Sequence, residues 1–344
     1  MKPKSKLISS NLAVYGLAHA VVDATCAALI FSLLNFGIAS GSYFIFLVIF
    51  YNILAFGLQT PIGLVTDKFR VPRFAAISGS LLTAFGAAFF NFPLLAVSLA
   101  GVGNALFHVG GGAISLNLTP KKASAPGVYV APGAIGIFVG TLIGTRGYFA
   151  SWYFLLAIAI LCILMGLVKI PVMDYRRDKI KSNYLELVLL LVLLAIIVRS
   201  FVGLAILLPW KSNLNLAIAL VLGVFLGKGL GGILADKFGW IKVTVGAVVI
   251  SAPLLAFFPA VPVLAIVGMF LFNMTMPVTL VALSNVLPGR PGFAFGLTCL
   301  ALIVGALPSL TKTVPALPAW GDFLIIIVSA VALYYGLKKY SKHP

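Results

Sequence analysis

The pattern G-x-x-x-D-K-F occurs twice, as GLVTDKF at Gly63–Phe69 and as GILADKF at Gly232–Phe238. The two aspartates, Asp67 and Asp236, are 169 residues apart, close to half of the 344-residue chain. Each copy follows the second apolar run of its half. Such a repeat at matching positions predicts two similar halves in parallel orientation.

The composition around this repeat indicates a lipid environment. Hydrophobic residues make up 62% of the chain and charged residues only 9%, whereas soluble domains carry about 25% charged residues. The net charge of +17 would suggest nucleic acid in a soluble protein. Here basic loops that set membrane topology explain it, so neither a soluble enzyme nor a nucleic-acid-binding protein is expected.

Twelve apolar runs can each supply a membrane-spanning helix. The runs are 11–38, 42–66, 74–91, 93–118, 127–149, 152–171, 184–208, 213–234, 243–258, 261–285, 293–312 and 320–337. The longest polar stretch, Val172–Asn183, separates the sixth from the seventh. The predicted fold is therefore an all-α membrane protein of twelve transmembrane helices in two pseudo-symmetric six-helix bundles. The predicted domains are 1–171, the linker 172–183, and 184–344.

The basic residues predict the orientation in the membrane. With the N-terminus inside, 19 of the 24 Lys and Arg residues fall in inner segments and 3, Arg146, Lys211 and Lys312, at outer ends. This bias predicts a multi-pass protein of the plasma (inner) membrane with both termini cytoplasmic. The remaining two, Arg199 and Lys228, lie within predicted helices.

The repeated motif resembles the signature loop of the major facilitator superfamily, G-x-x-x-D-[RK]-x-G-x-x-[KR]. The second copy matches it through Gly239, and the first has Arg70 at that position. The resemblance implies loops that hold the inner gate: a small glycine permits close helix approach, and a carboxylate at a helix end pairs with a basic residue or a helix N-terminus. Ordinary stop-transfer loops are the alternative. The gate-loop residues are Gly63, Asp67, Arg73, Gly232, Asp236 and Lys242.

Further strings resemble the fosmidomycin-resistance-like branch of that superfamily. In chain order they are AHAVVD at 18–23, NALFH at 104–108, VRSF at 198–201, LP at 208–209, MPVT at 276–279 and LPGRPG at 287–292. The resemblance implies a transporter that functions as a monomer, with a small-molecule substrate and protons as its partners.

Ionisable residues within a bilayer are costly and are therefore candidate functional groups. His19 and Asp23 share one helix face, and Asp23 lies roughly 18 Å into its run. A carboxylate at that depth can load and release a proton, so Asp23, His19 and His108 are the proton-coupling candidates. A structural His–Asp hydrogen bond, and a His108 satisfied by a neighbour, are the alternatives. Because no spacing fixes these residues across helices, neither a metal site nor a cofactor is predicted.

Arg199, in the seventh helix, is permanently charged. It requires either a carboxylate, for which Asp23 is the intramembrane candidate, or an anionic substrate. Snorkelling to the outer surface is the alternative. The substrate-binding candidates are Arg199, His108 and Asn104.

Glycines along the fifth helix resemble the antiporter signature of drug exporters in the superfamily. They are Gly127, Gly136, Gly140 and Gly144. Tight helix packing is the alternative. The resemblance favours export over import.

The sequence thus predicts proton-coupled export (antiport) of a small drug-like or anionic compound by alternating access. Proton-coupled import of a small metabolite is the alternative, followed by a non-transporting membrane receptor or assembly factor. The protein is not expected to be an enzyme, because no Ser/His/Asp, HExxH or paired-acid pattern is evident.

Overall fold

The computed structural model describes residues 3–176, 185–311, 313 and 317–341. Within these ranges every regular element is a helix. This is what a lipid environment requires, because only helices and closed barrels satisfy all backbone hydrogen bonds internally.

In residues 3–176, the first part of the described chain, there are seven α-helices. They are α1 (Pro3–Asn35), α2 (Gly41–Asn52), α3 (Gln59–Phe69), α4 (Pro72–Ala88), α5 (Pro93–Leu118), α6 (Ser124–Thr145) and α7 (Ser151–Leu167). A π-helical segment, Ile53–Gly57, connects α2 to α3. Proline begins α4 and α5, where the absent N–H is no loss.

The described residues from 185 onward form seven more. They are α8 (Leu185–Ala205), α9 (Leu214–Phe238), α10 (Trp240–Phe257), α11 (Pro262–Asn273), α12 (Met276–Val286), α13 (Pro291–Leu310) and α14 (Ala319–Ser341). Asn213 caps α9 by accepting from the backbone N–H groups of Asn215 and Leu216.

Each of the twelve predicted runs contains an α-helix, and two of the runs contain two α-helices each. Run 42–66 is divided by the π-helical segment, and run 261–285 is divided between α11 and α12. The second division precedes Pro277, in the first turn of α12, where proline cannot donate a helical hydrogen bond.

Among the residues that the structure describes, ten helical spans are long and apolar enough to cross a membrane. The chain is therefore an integral, multi-pass membrane protein. The other two predicted spans correspond to α4 and α7, of 17 residues each. The count of twelve crossings stays a prediction, as does the orientation of the termini.

The described residues group into two compact units. The first comprises Met1–Leu118, Pro132–Tyr175 and Arg290–Leu300, and the second comprises Thr119–Ala131, Arg176–Gly289 and Ala301–Pro344. Residues 177–183 of the predicted linker lie outside the described residues. The division into halves at 172–183 remains a proposal.

Glycines bring the helices of the first unit into close contact. A Cβ added at Gly103 of α5 would lie 2.5 Å from the backbone nitrogen of Thr83 of α4. One added at Gly110 would lie 2.3 Å from the carbonyl oxygen of Pro72. Only glycine permits backbones to approach this closely, so these positions determine how α5 lies against α4.

The second unit has its apolar core between α8, α10 and α14. Val198 and Val202 of α8 pack with Val248 of α10 and with Ile326 and Leu333 of α14. These contacts place the α8 face that carries Arg199 in the interior of this unit.

Candidate functional site

A buried cluster of three ionisable side chains lies in the first unit. On α1, Nε2 of His19 is 3.2 Å from Oδ2 of Asp23. On α5, Nε2 of His108 is 3.6 Å from Oδ1 of the same carboxylate. The two histidine Nε2 atoms are 2.9 Å apart. We call His19, Asp23 and His108 the buried triad.

Asn104, one turn before His108 on α5, orients two members of the buried triad. Its side-chain amide donates to Oδ1 of Asp23 at 3.1 Å. Its backbone carbonyl lies 2.9 Å from Nδ1 of His108. A carbonyl can only accept, so Nδ1 carries the proton, and the Nε2 of a neutral ring is directed at its neighbours as a lone pair.

The packing of α6 on α1 determines the position of His19 and Asp23. A Cβ at Gly133 would lie 2.5 Å from Nε2 of His19 and 2.7 Å from Oδ2 of Asp23. A Cβ at Gly136 would lie 2.1 Å from the carbonyl oxygen of Ala20. The buried triad therefore has helix backbone against it on one side.

Of the sequence candidates, His19, Asp23, His108 and Asn104 come together in one place. The i, i+4 relation of His19 and Asp23 follows from helical periodicity alone. The contact of these two residues with α5 does not follow from periodicity, because it depends on which helices pack against each other. Three groups that exchange protons, with ligand atoms all within 4.8 Å of one another, can hold a proton or a cation.

Arg199 is buried in the second unit, with 7% of its surface exposed. Both of its Nη atoms are buried, so the guanidinium does not reach the aqueous surface and the snorkelling alternative does not describe it. Asp23 belongs to the first unit, and the pairing of Asp23 with Arg199 stays a prediction.

The first gate-loop aspartate binds the beginning of a helix far along the chain. Oδ1 of Asp67 accepts from the backbone N–H of Gly292 at 2.9 Å, and Oδ2 accepts from that of Phe293 at 2.8 Å. Both N–H groups are in the first turn of α13, where no intrahelical acceptor exists. A Cβ at Gly63 would lie 2.4 Å from the carbonyl oxygen of Gly292. We call this contact the Asp67 cap.

The second gate-loop aspartate makes the corresponding contact in the second unit. Oδ1 and Oδ2 of Asp236 accept from the backbone N–H groups of Ala123 and Ser124, each at 2.9 Å, at the start of α6. A Cβ at Gly232 would lie 2.2 Å from the carbonyl oxygen of Ala123. We call this contact the Asp236 cap. The sequence predicted that each carboxylate would pair with a basic residue or a helix N-terminus, and these hydrogen bonds are of the second kind.

The other gate-loop residues differ between the copies. Arg70 ends α3 in the left-handed conformation, with φ of 59° and ψ of 40°. Gly239 ends α9 with φ of 101° and ψ of 134°, a different conformation that also has positive φ. Arg73 donates to the carbonyls of Gly166 and Val168 at the end of α7. Lys242 is exposed in the first turn of α10.

One residue of the Asp236 cap, Trp240, was not among the candidates predicted from the sequence. The indole Nε1–H of Trp240 donates to Oδ1 of Asp236 at 3.0 Å. The i, i+4 spacing of an indole donor and a carboxylate is a signal that the sequence contains. The carboxylate thus accepts three N–H groups.

The helix-five glycines make close contacts between helices. A Cβ at Gly140 would lie 2.2 Å from the carbonyl oxygen of Ala24, and one at Gly144 would lie 2.7 Å from that of Ala28. In the second unit, one at Gly127 would lie 2.8 Å from the carbonyl oxygen of Lys228. Together with Gly136, these contacts give the pattern a packing role. Its meaning as an antiporter signature remains a proposal.

Solved structures of several transporters are similar to this chain over nearly its whole length. The chain is similar to the E. coli fucose:proton symporter FucP, with a TM-score of 0.71, 13% identity and 98% of each chain covered. It is similar to the human organic anion transporter MFSD10, with a TM-score of 0.68, 12% identity and 99% of each chain covered. It is also similar to the proton:xylose symporter XylE, with a TM-score of 0.67, 14% identity, and 97% of this chain and 96% of that chain covered.

No family model matches the sequence, and neither does any curated protein. The structural similarity, over nearly the whole length of both chains, shows that the protein has the major facilitator fold.

Proposed function

We propose that the protein is a secondary active transporter of the major facilitator superfamily, of the fosmidomycin-resistance-like branch, and not an enzyme. The observation that carries the transporter assignment is the pair of carboxylate caps, whereas the proposed branch is supported by the sequence strings from AHAVVD to LPGRPG alone. Asp67 and Asp236, equivalent positions of an internal repeat, each bind the first N–H groups of a helix distant in sequence. Contacts of this kind are suited to form in one conformation and open in another, as alternating access requires.

We infer that proton binding at the buried triad drives the transport cycle. The carboxylate of Asp23 and two imidazoles share one small buried volume, so adding or removing one proton changes the charge there by a full unit in a medium of low dielectric constant. A conformational change that alters the access of water would then be coupled to protonation. Arg199 is proposed to respond to the charge of Asp23, either as its partner or by binding an anionic substrate.

The proposed direction is export of a small drug-like or anionic compound in exchange for protons. The helix-five resemblance supports it. Import of a small metabolite together with protons is the second candidate, which is favoured by the description of FucP and XylE as proton symporters. Both candidates use the same scaffold and the same buried triad.

The decisive experiment measures flux in proteoliposomes with a trapped pH-sensitive dye. Compounds that raise the melting temperature of the purified protein are tested as substrates under an imposed pH gradient. We expect substrate-dependent proton movement, with its direction distinguishing export from import. No proton movement with any stabilising compound would contradict proton coupling.

Asp23→Asn separates coupling from transport itself. We expect it to abolish flux driven by the pH gradient and to retain substrate exchange at equal pH on both sides, because the amide preserves shape but cannot ionise. Glu186→Gln, the same carboxylate-to-amide change at an exposed position in the first turn of α8, is the matched control and should change neither. If pH-driven flux survives in Asp23→Asn, Asp23 is not the coupling residue, and His19 and His108 would be tested next.

A further inference from the structure

We propose that the buried triad is a binding site for a first-row divalent transition-metal ion, with Zn²⁺ as the reference ion. The proposal rests on donor types, distances and ring orientation. It does not depend on the direction, the substrate or the proton coupling of transport.

The separations of the three donor atoms suit a single ion. Zinc binds imidazole nitrogen and carboxylate oxygen at about 2.0 to 2.2 Å, so two ligands of a tetrahedral site lie about 3.4 Å apart at the middle of that range. The separation is 2.9 Å between the Nε2 atoms of His19 and His108. The carboxylate of Asp23 is 3.2 Å from the first of these atoms and 3.6 Å from the second. Two of these separations are shorter and one is longer than the ideal separation of about 3.4 Å between ligands of a tetrahedral zinc ion.

The ring of His108 already has the orientation of a metal ligand. Metal-binding histidines donate the proton of the second ring nitrogen to a carbonyl or carboxylate, which fixes the tautomer and makes the ligating nitrogen more basic. Nδ1 of His108 lies 2.9 Å from the carbonyl oxygen of Asn104. The Nε2 lone pair is consequently directed toward His19 and Asp23.

Asn104 supplies the corresponding outer-shell contact to the carboxylate. Its amide donates to Oδ1 of Asp23 at 3.1 Å, while Oδ2 is directed at His19. Ligating carboxylates are characteristically held by such hydrogen bonds. One residue thus positions two of the three ligands, and both it and His108 are on the rigid helix α5.

The donor set selects a class of ion. Two imidazoles and one carboxylate suit zinc, cobalt, nickel, copper and ferrous iron, whereas Mg²⁺ and Ca²⁺ prefer oxygen ligands alone. The nearby thiol of Cys26 is directed at the carbonyl oxygen of Ala100, at 3.8 Å, so a thiolate-selected ion is not expected. Three protein ligands leave a coordination position for water or an exchanging group.

The buried triad is enclosed without being sealed. The side chains of His19, Asp23 and His108 are 6%, 10% and 12% exposed, respectively. Burial excludes competing water, and each of the three side chains retains some exposed surface. One carboxylate compensates part of the charge of the ion, which reduces the cost of placing it in the protein interior.

The test uses full-length protein purified without a polyhistidine tag and treated with a chelator. Titration with Zn²⁺ by calorimetry should show one ion per chain, and Co²⁺ should give the visible absorption of an ordered low-symmetry site. Mg²⁺ should give neither signal. X-ray absorption of the wild-type zinc complex should show imidazole ligands, a result that needs no variant.

His108→Gln and Asp23→Asn should each weaken Zn²⁺ binding by at least about a hundredfold, since removal of even an outer-shell partner costs about 10- to 100-fold. Asn104→Ala should weaken it by about 10- to 100-fold. His343→Gln should leave binding unchanged. Size-exclusion profiles of every variant establish that it is folded.

Three results would overturn the proposal: no stoichiometric binding by wild type, an absorption spectrum without imidazole ligands, or equal affinity in folded His108→Gln. Flux measured on the same preparation without metal keeps the two proposals separate. Proton-coupled flux without zinc binding would refute only the metal site, and zinc binding without flux would refute only the transport assignment.

Discussion

Asp236→Asn tests whether the Asp236 cap stabilises one conformation of the transporter. In the wild type the carboxylate accepts from the backbone N–H groups of Ala123 and Ser124 and from the indole of Trp240. Asparagine retains one oxygen acceptor and replaces the other by an amide donor. Two N–H groups would then face each other at the start of α6.

The magnitude follows from the lost interactions. A hydrogen bond to a charged group contributes about 1.5–3 kcal/mol, and a carboxylate at a helix N-terminus adds about 0.3–1 kcal/mol when it is exposed to solvent. Because Asp236 is only partly buried, we take the low end of the sum, about 2 kcal/mol. At 1.4 kcal/mol for each factor of ten, the equilibrium between capped and uncapped conformations should shift about 30-fold.

Hydrogen–deuterium exchange of the peptide containing Ala123 and Ser124 measures this shift directly. If the exchange rate is proportional to the population of the open conformation, exchange at the start of α6 should become about 30-fold faster in Asp236→Asn. Glu186→Gln is the matched control, because Glu186 is an exposed carboxylate in the first turn of α8. The control should leave this peptide unchanged.

A change of less than about threefold, equivalent to about 0.7 kcal/mol, would refute the reasoning. It would mean that water replaces the carboxylate at little cost. Asp67→Asn, examined at the start of α13, provides an independent second measurement on the other copy of the repeat.

Three further outcomes are expected. Trp240→Phe removes one of the three donors to Asp236, a loss of about 1 kcal/mol. Hydrogen–deuterium exchange at the start of α6 should therefore become about fivefold faster. An increase as large as that in Asp236→Asn would contradict this prediction. Gly136→Ala should lower the melting temperature, through overpacking of about 1–3 kcal/mol, because its Cβ would lie 2.1 Å from a backbone oxygen of α1. Gly246→Ala, with nothing within 4 Å, should leave the melting temperature unchanged or raise it, and equal losses would refute the packing argument. Val172→Cys, 97% exposed, should react in a cysteine-free background with an impermeant maleimide only from the cytoplasmic side, and labelling from outside would overturn the predicted topology.

The sequence alone predicted the helical membrane architecture well, and the reason is the physics of lipid. A backbone in hydrocarbon must satisfy its own hydrogen bonds, so a long apolar run is sufficient to predict a helix. The interruption of run 261–285 before Pro277 was not predicted, although the proline was visible. A break of two residues does not alter hydropathy averaged over a whole span.

Local periodicity also predicted part of the candidate site. His19 and Asp23 are four residues apart, and a helix places them on one face whatever surrounds it. Helical spacing likewise relates Asn104 to His108 on α5. Each pair could be recognised without knowledge of the other.

Only the tertiary structure joined the two pairs. The contact between α1 and α5 involves residues far apart in sequence, such as Cys26 and Ala100, which are 74 positions apart and whose Sγ and carbonyl oxygen lie 3.8 Å from each other. The same holds for the Asp67 cap, whose acceptor and donors are 225 and 226 positions apart. The sequence determined that a carboxylate lies in the last turn of α3, because helix ends depend on local chemistry. Which helix N-terminus that carboxylate binds was decided by packing between helices, since every helix presents unsatisfied N–H groups at its first turn.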